Sequence, residues 1–316
     1  SWGQLGNDHV PASDGAITSS VATTTLGGTV YSGVVVNNTF NFLKWELTEE
    51  TNIGITASLM RDRLSADFDY FIRDTKNAAL QIKIPGSGDV MWRPVGTIRN
   101  SGLELALNWS DKINDQLSYS IGGNISTLKN EARDLYGQEY IDGGSAEFRQ
   151  RTYLNEPMMA FYGREVAGVY QNQAEIDADP AAVAYNLENP STKLVPGDFR
   201  YNDQNGDGKI NDDDRVILGS YFPNFIYGFN LSANYRNFDF SASFYGQSGN
   251  KVLNRKRGEI IWTADGNMDA DLATNRWHGE GTSNIYPSSE GLRKGWNQKM
   301  SDYFVEDGSF FRIQNI

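Results

Sequence analysis

Residues 225–247 read FIYGFNLSANYRNFDFSASFYGQ. Phe225, Tyr227, Phe229, Leu231, Ala233 and Tyr235 fall on one face, and Ile226, Gly228, Asn230, Ser232, Asn234 and Arg236 fall on the other. A period of two is the signature of a strand. After Asn237 the alternation resumes, with Phe238, Phe240, Ala242 and Phe244 opposed to Asp239, Ser241, Ser243 and Tyr245. The pair therefore reads as a hairpin with a very tight turn. One face is apolar and the other polar, and each run has the roughly 9–11 residues that a tilted strand needs to cross a bilayer.

The pattern repeats upstream. Ile53, Ile55, Ala57 and Leu59 oppose Asn52, Gly54, Thr56 and Ser58; Arg61 and Asp62 make a turn; Leu64, Ala66, Phe68, Tyr70 and Ile72 continue the apolar face against Ser65, Asp67, Asp69 and Arg73. A third hairpin sets Leu103, Leu105, Leu107 and Trp109, then Leu117, Tyr119, Ile121, Gly123 and Ile125, on one face, with DKIND (111–115) as its turn. Trp109 and Tyr235 stand at strand ends, where interface aromatics belong. Ser1–Asp8 reads as the tail of a strand, the Ser, Thr and Gly-rich stretch to Gly28 as a loop, and Thr29–Val36 as a short β-prone run.

Between the hairpins lie long polar connections, Thr75–Pro94, Lys129–Pro223 and Ser248–Glu306. The second holds a further strand candidate at Phe161–Gln171, and the third a short helix near Val252–Trp262. Short turns then all lie at one end and long loops at the other, as in a transmembrane barrel. Strand parity requires zero or two crossings between Ser126 and Phe225; a crossing at Phe161–Gln171 would need a return near Phe199–Tyr201. A water-soluble β-sandwich alternates in the same way. The polar faces, rich in Ser, Asn and Gly rather than Lys and Arg, and the connections of tens of residues favour the barrel.

Composition bounds the chemistry. A net charge of −12 over 316 residues argues against a nucleic-acid partner. The absence of cysteine removes disulfides, thiolates and zinc-cysteine sites. Mean hydropathy of −0.52, with no long apolar run, excludes a membrane helix but not a membrane barrel. The chain begins without methionine and stops inside a strand-like segment, and reads as a fragment of a longer polypeptide.

Several segments, in order, resemble one family, the SusC/RagA-like TonB-dependent outer-membrane transporters. They are SWGQLGND (1–8), LKWELTEETNIGI (43–55), VGTIRNSGLELALNW (95–109), FYGREVAGVYQNQAEID (161–177) and PGDFRYNDQNGDGKINDDDRVILGS (196–220), followed by the 223–247 hairpin, NRWHGEG (275–281) with Tyr286 and Pro287, and YFVEDGSFFRIQNI (303–316). The resemblance implies an all-β fold, an antiparallel transmembrane β-barrel of about 22 strands with long extracellular loops and a plugged lumen. Residues 1–316 would be part of one such barrel domain, without the plug domain and the final strands. It also implies TonB-dependent import of glycan fragments or peptides rather than catalysis, a multi-pass place in the outer membrane of a Gram-negative bacterium, a SusD-like surface lipoprotein as lid, and the TonB–ExbB–ExbD complex as energy source. The alternative from another class is a soluble or surface-attached, calcium-stabilised β-rich binding module, in which Phe229, Leu231, Phe240 and Phe244 would be buried against protein.

The sharpest local motif is YNDQNGDGKINDDDR. Asp203, Asn205 and Asp207 occupy positions 1, 3 and 5 of an EF-hand-type loop, with Gly208 at 6, the Lys209 carbonyl at 7, Asn211 at 9 and Asp214 at 12. Asp rather than the longer Glu closes the loop, and the flanks look extended rather than helical, so the expectation is a structural calcium rather than a switch; the competing reading is an Asp-rich solvated turn. The cluster Lys251, Arg255, Lys256 and Arg257 reads as a solvated loop helix, with lipopolysaccharide phosphate contact as the other possibility. His9 and His278 are isolated, and His278 reads as a loop residue. A glycosidase pair such as Glu139 and Asp142 is not distinguished from loop charge. Trp92 and Trp296 lie in long connections, where an aromatic face could stack on a sugar or peptide or, as the plainer reading, pack the loop against the barrel.

Overall fold

A computed structural model describes residues 1–7, 18–26, 28–37, 44–83, 90–145, 147–255, 257, 270–289 and 295–316. The first strands are β1 (Trp2–Asn7), β2 (Thr18–Leu26), β3 (Thr29–Asn37), β4 (Glu46–Leu59), β5 (Leu64–Lys83), β6 (Val90–Asn114), β7 (Leu117–Thr127) and β8 (Lys129–Asp134). Short strands follow as β9 (Tyr140–Gly144), β10 (Arg149–Tyr153), β11 (Ala160–Gly163), β12 (Val166–Val169), β13 (Phe199–Tyr201) and β14 (Val216–Gly219). The chain then forms β15 (Phe225–Tyr235), β16 (Phe238–Ser248), β17 (Lys251–Leu253), β18 (Val305–Asp307) and β19 (Phe310–Asn315). The helices given in full by the described residues are short: α1 (Gln173–Ala178), α2 (Pro180–Glu188) and α3 (Ala270–Asn275).

One antiparallel sheet forms a wall in the order β1-β4-β5-β6-β7-β15-β16-β19, with β8 continuing alongside β6. Its faces are best seen along the rungs, where residues from successive strands stand side by side. Ala57, Ala66, Leu107, Gly123, Phe229, Phe244 and Ile313 make one apolar rung across seven strands. The next rung, on the opposite face, is Ser58, Ser65, Asn108, Gly122, Asn230, Ser243 and Asn315. The apolar face is not covered by protein: Phe229 is 39% exposed, Leu107 44% and Ile313 57%. None of Phe229, Leu231, Phe240 and Phe244 is buried, which corrects the alternative of a sandwich core.

Short turns join β4 to β5 through residues 60–63 and β15 to β16 through Arg236 and Asn237. Met60, Arg61 and Asp62 take φ of 54°, 61° and 64°, and the Ser58 hydroxyl donates to Asp62 Oδ1 at 2.5 Å, tying the tight reversal to its strand. The third turn is Asp115–Gln116 rather than the whole of DKIND, because a register shift between Lys112 and Asn114 carries β6 further. All remaining connections leave the other end.

The structure corrects the sequence reading in four places. Residues 18–26, read as loop, pair with β3, as their Val and Thr content allows. Much of the expected Thr75–Pro94 loop is strand: β5 and β6 stay paired up to Lys83 and Val90, while 84–89 lie outside the described residues. A bulge at Asn77 (φ 56°) exchanges the faces, so that Ala78, Leu80 and Ile82 turn inward and are buried, Leu80 and Ile82 in one cluster with Ala132 and Leu135. Phe161–Gln171 breaks into β11 and β12, neither in the wall; β13 pairs with β12, and β7 pairs directly with β15, so no strand crosses between them. Lys251–Leu253 is a strand paired with β18, so the expected helix does not begin at Val252; Arg257 is helical, and 256 and 258–262 lie outside the described residues.

The long connections build a layer with its own core at that end of the wall. Phe161, Tyr170, Ile176, Phe199, Trp296 and Phe304 are among its buried side chains, joining segments more than a hundred residues apart. Asp179 links α1 to α2, its carboxylate accepting from Ala181 N at 2.9 Å, with Pro180 at the first helical position.

Candidate functional site

The layer offers three places where chemistry could reside, and the first is the 203–214 loop. Asp203 accepts backbone N–H groups from Gly206 at 2.7 Å and Gly208 at 2.8 Å, and these bonds, that from Gly208 foremost, hold its carboxyl below the usual carboxylate range. Both glycines take positive φ, 73° and 76°, which an L side chain would strain. Asn205, Asp207 and Asn211 each accept from the backbone two residues on, while buried Asp214 accepts from Gln204 N and Asn211 N. The Asn205 and Asn211 amide nitrogens stand 3.4 and 3.5 Å from Asp207 Oδ2. Those amides cannot be turned, because each oxygen already accepts a backbone N–H, from Asp207 and from Asp213, and turning it would set donor against donor. A hard cation here would have to share the Asp203, Asn205, Asp207, Asn211 and Asp214 oxygens with the backbone N–H groups that already close the turn. Among the described residues no group of three or more His, Cys, Asp or Glu side chains is gathered closely enough to hold a metal alone. Lys209 N donates to Asp207 and its ammonium pairs with Glu188 at 3.3 Å.

The loop is anchored from below by buried arginines. Arg164, 2% exposed, donates to the Asn211 carbonyl at 3.0 Å and meets Asp212 at 3.1 Å; Arg215 meets Asp212 at 2.9 Å and Glu147 at 3.5 Å. Burial pulls the Arg164 pKa below its ordinary value, and the neighbouring Arg215 charge adds to the effect. Two buried guanidiniums sharing two carboxylates make a stiff joint between the loop and β11.

The third place is a cleft of about 600 Å³ between the inward end of β5 and the small sheet β14-β11-β10-β9. Leu80, Ile141, Met158 and Met159 give it apolar walls, and Gln81 and Arg149 give it polar edges. Its floor is held under strain: Asn155 and Met159 take φ of 63° and 54°, and buried Asn130 and Thr152 side chains accept from Met158 N and Met159 N, each at 2.8 Å. Beside it Arg151 lies over the rings of Tyr140 (3.6 Å) and Tyr162 (4.0 Å) and pairs with both oxygens of Asp142 at 2.6 and 3.1 Å. Burial pushes the Tyr162 hydroxyl up to about 12.

The other residues singled out in the sequence fall differently. Trp296 is buried, donating Nε1–H to the Phe199 carbonyl at 2.7 Å and packing on Tyr185 and Tyr201, so it is core and offers no face to a ligand. Trp92 lies in β6 opposite Gln81, in strand rather than loop. Asp142 is committed to Arg151 and is no free glycosidase acid. In the basic cluster Arg257 pairs with Glu306 at 3.5 Å, Arg255 sits 4.5 Å over Phe148, and Lys251 is part of β17; Lys256 lies outside the described residues, as does His9. His278 is a loop residue, its Nδ1 3.0 Å from the Arg276 carbonyl. The cleft, the Arg151 cage and the Arg164 joint were not found from the sequence. The one local signal that could have pointed to the cage is the density of Arg and Tyr in RQRTY (149–153).

A sheet with an exposed apolar face, tight turns at one end and a folded layer at the other defines an outer-membrane type of β-barrel wall. Residues 10–157 match the family described as TonB dependent receptor-like, beta-barrel. TonB-dependent receptor P26 of Formosa agariphila is 32% identical over 303 residues, 93% of this chain and 30% of the relative. SusC of Bacteroides thetaiotaomicron, also named a TonB-dependent receptor, is 24% identical over 87% of this chain and 26% of the relative. The solved RagAB peptide importer in its open-open state superposes with a TM-score of 0.71 over 99% of this chain and 32% of that one, at 19% identity, which shows the fold. Residues 10–157 thus belong to a TonB-dependent receptor-like β-barrel, and the chain as a whole is similar to receptors of the SusC and RagA kind. It spans less than a third of the length of the curated relatives it matches.

Proposed function

We propose that the protein works in TonB-dependent import of glycan fragments or peptides across the outer membrane of a Gram-negative bacterium. A SusD-like lipoprotein would serve as lid over the loop layer, and TonB with ExbB and ExbD as energy source. The observation that carries this reading is the exposed apolar rung through Leu107, Phe229 and Ile313, continuous over seven strands, because an uncovered apolar band of that extent needs lipid against it. Extraction of the parent protein from outer membranes in mild detergent tests it. A stoichiometric lipoprotein partner supports the reading, and recovery from the soluble fraction overturns it.

The cleft beside β9 is where cargo would rest on the wall, being the concave place that joins apolar walls to a few polar groups. Met158→Trp would fill it. We expect assembly to be unchanged and cargo capture by the purified receptor to weaken at least tenfold; unchanged capture would remove the cleft from the cargo path.

Calcium in the 203–214 loop belongs to the same proposal, as a structural ion on Asp203, Asn205, Asp207, the Lys209 carbonyl, Asn211 and Asp214. The parent protein should melt several degrees higher in calcium than in chelator, and the difference should vanish in Asp203→Asn. Equal midpoints in calcium and chelator for the native protein would leave the loop as a turn held by its own hydrogen bonds.

A further inference from the structure

A second, smaller cleft of about 280 Å³ opens between β12, the 284–285 turn and the segment leading into β18. Three of its lining residues carry complementary polar groups. Asn284 accepts from Val169 N through Oδ1 at 2.9 Å, which fixes its amide so that the NH₂ is left as a donor. Arg257 uses part of its guanidinium on the Tyr303 carbonyl at 3.1 Å and on Glu306, and of its five N–H groups others remain. Asp302 accepts from Val166 N at 2.9 Å through one oxygen, and no basic side chain is paired with it among the described residues. Desolvation, with the Glu165 charge adding to it, holds the Asp302 carboxyl above the usual carboxylate range, so the group gains from a cation beside it. Between these polar groups the wall is apolar, with Val166 and Ile285. Gly168, at φ 150°, keeps the floor open, because a Cβ there would stand 2.5 Å from Asn284 Oδ1.

A guanidinium and an amide N–H₂ suit a carboxylate, and an unpaired carboxylate suits an ammonium. The volume lies at the small end of ligand sites. From this juxtaposition we infer that the cleft binds a free α-amino acid, its carboxylate toward Arg257 and Asn284, its ammonium toward Asp302, and a small apolar side chain against Val166 and Ile285. A peptide separates its two termini and would not satisfy both ends. The site is distinct from the cleft beside β9 and does not depend on transport.

The test uses the full-length receptor in detergent and isothermal titration with L-alanine, with propionate and ethylammonium as single-ended probes and glucose as a neutral one. We expect saturable binding of L-alanine, with each of the other three at least tenfold weaker. Asn284→Asp keeps the bond from Val169 N but sets a negative charge against the ligand carboxylate; Asp302→Asn keeps the bond from Val166 N but removes the charge facing the ammonium. Both should melt as the native protein does and bind L-alanine at least tenfold more weakly. Absence of L-alanine binding, equal binding of propionate or glucose, or undiminished binding by both variants would overturn the assignment. Should one variant fail to assemble, the other and the single-ended probes still decide it.

Discussion

Phe229→Arg should abolish outer-membrane assembly of the parent receptor, while Asn230→Arg, one residue along the same strand, should leave it largely intact. Phe229 stands mid-strand in the apolar rung between Gly123 and Phe244, and a third of its side chain or more faces outward with no protein over it. An arginine there must be carried into hydrocarbon at a cost of about 2–4 kcal/mol. That is a large share of the roughly 5–15 kcal/mol by which folded proteins are stable. Asn230 points to the opposite face, in a rung of Ser, Asn and Gly, where a long cation can reach water. The measurement is the folded, heat-modifiable fraction recovered from outer membranes. Equal tolerance at 229 and 230 would mean that the two faces do not meet different solvents.

The second large effect is expected from Trp296→Ala. The indole is buried to 2% exposure, packs on Tyr185 at 4.3 Å and Tyr201 at 5.2 Å between ring centres, and donates to the Phe199 carbonyl at 2.7 Å. Removing it leaves a cavity and an orphaned carbonyl, together about 3–5 kcal/mol. The loss falls on the loop layer, since Trp296, α2 and β13 all belong to it and none is a wall strand. Limited proteolysis should therefore cut the variant within 170–220 and 270–305 while the wall stays protected. Loss of wall and layer together would show that the two fold as one unit.

The wall was legible in the sequence because lipid on one side and water on the other impose a strict period of two. Phe225–Tyr235, Phe238–Ser248 and Leu117–Thr127 came out to the residue or nearly so. The reading faltered where that constraint lapses. Beyond Asn77 the bulge swaps the faces and both sides of β5 and β6 approach protein, so the alternation no longer announces a strand. The layer was less legible still. Its short strands of three to five residues, such as Val216–Gly219 against β11 and Lys251–Leu253 against β18, are fixed by partners some fifty residues away, and nothing local separates them from loop. The 203–214 turn was visible because its geometry is local: each Asx side chain caps a backbone N–H within five residues. The two clefts were invisible because each draws its walls from segments that meet only once the layer has folded.

The direct pairing of β7 with β15, from Leu117 opposite Tyr235 to Thr127 opposite Phe225, has a consequence for how such a protein can change. Residues 135–224 leave the sheet after β8, which runs on from β7 alongside β6, and rejoin it at β15, so the excursion is a cassette seated between two neighbouring staves. It can lengthen, shrink or be exchanged for another without shifting the register of a single stave. Binding preference can drift in that cassette while the part that must satisfy the bilayer stays under its own, separate selection.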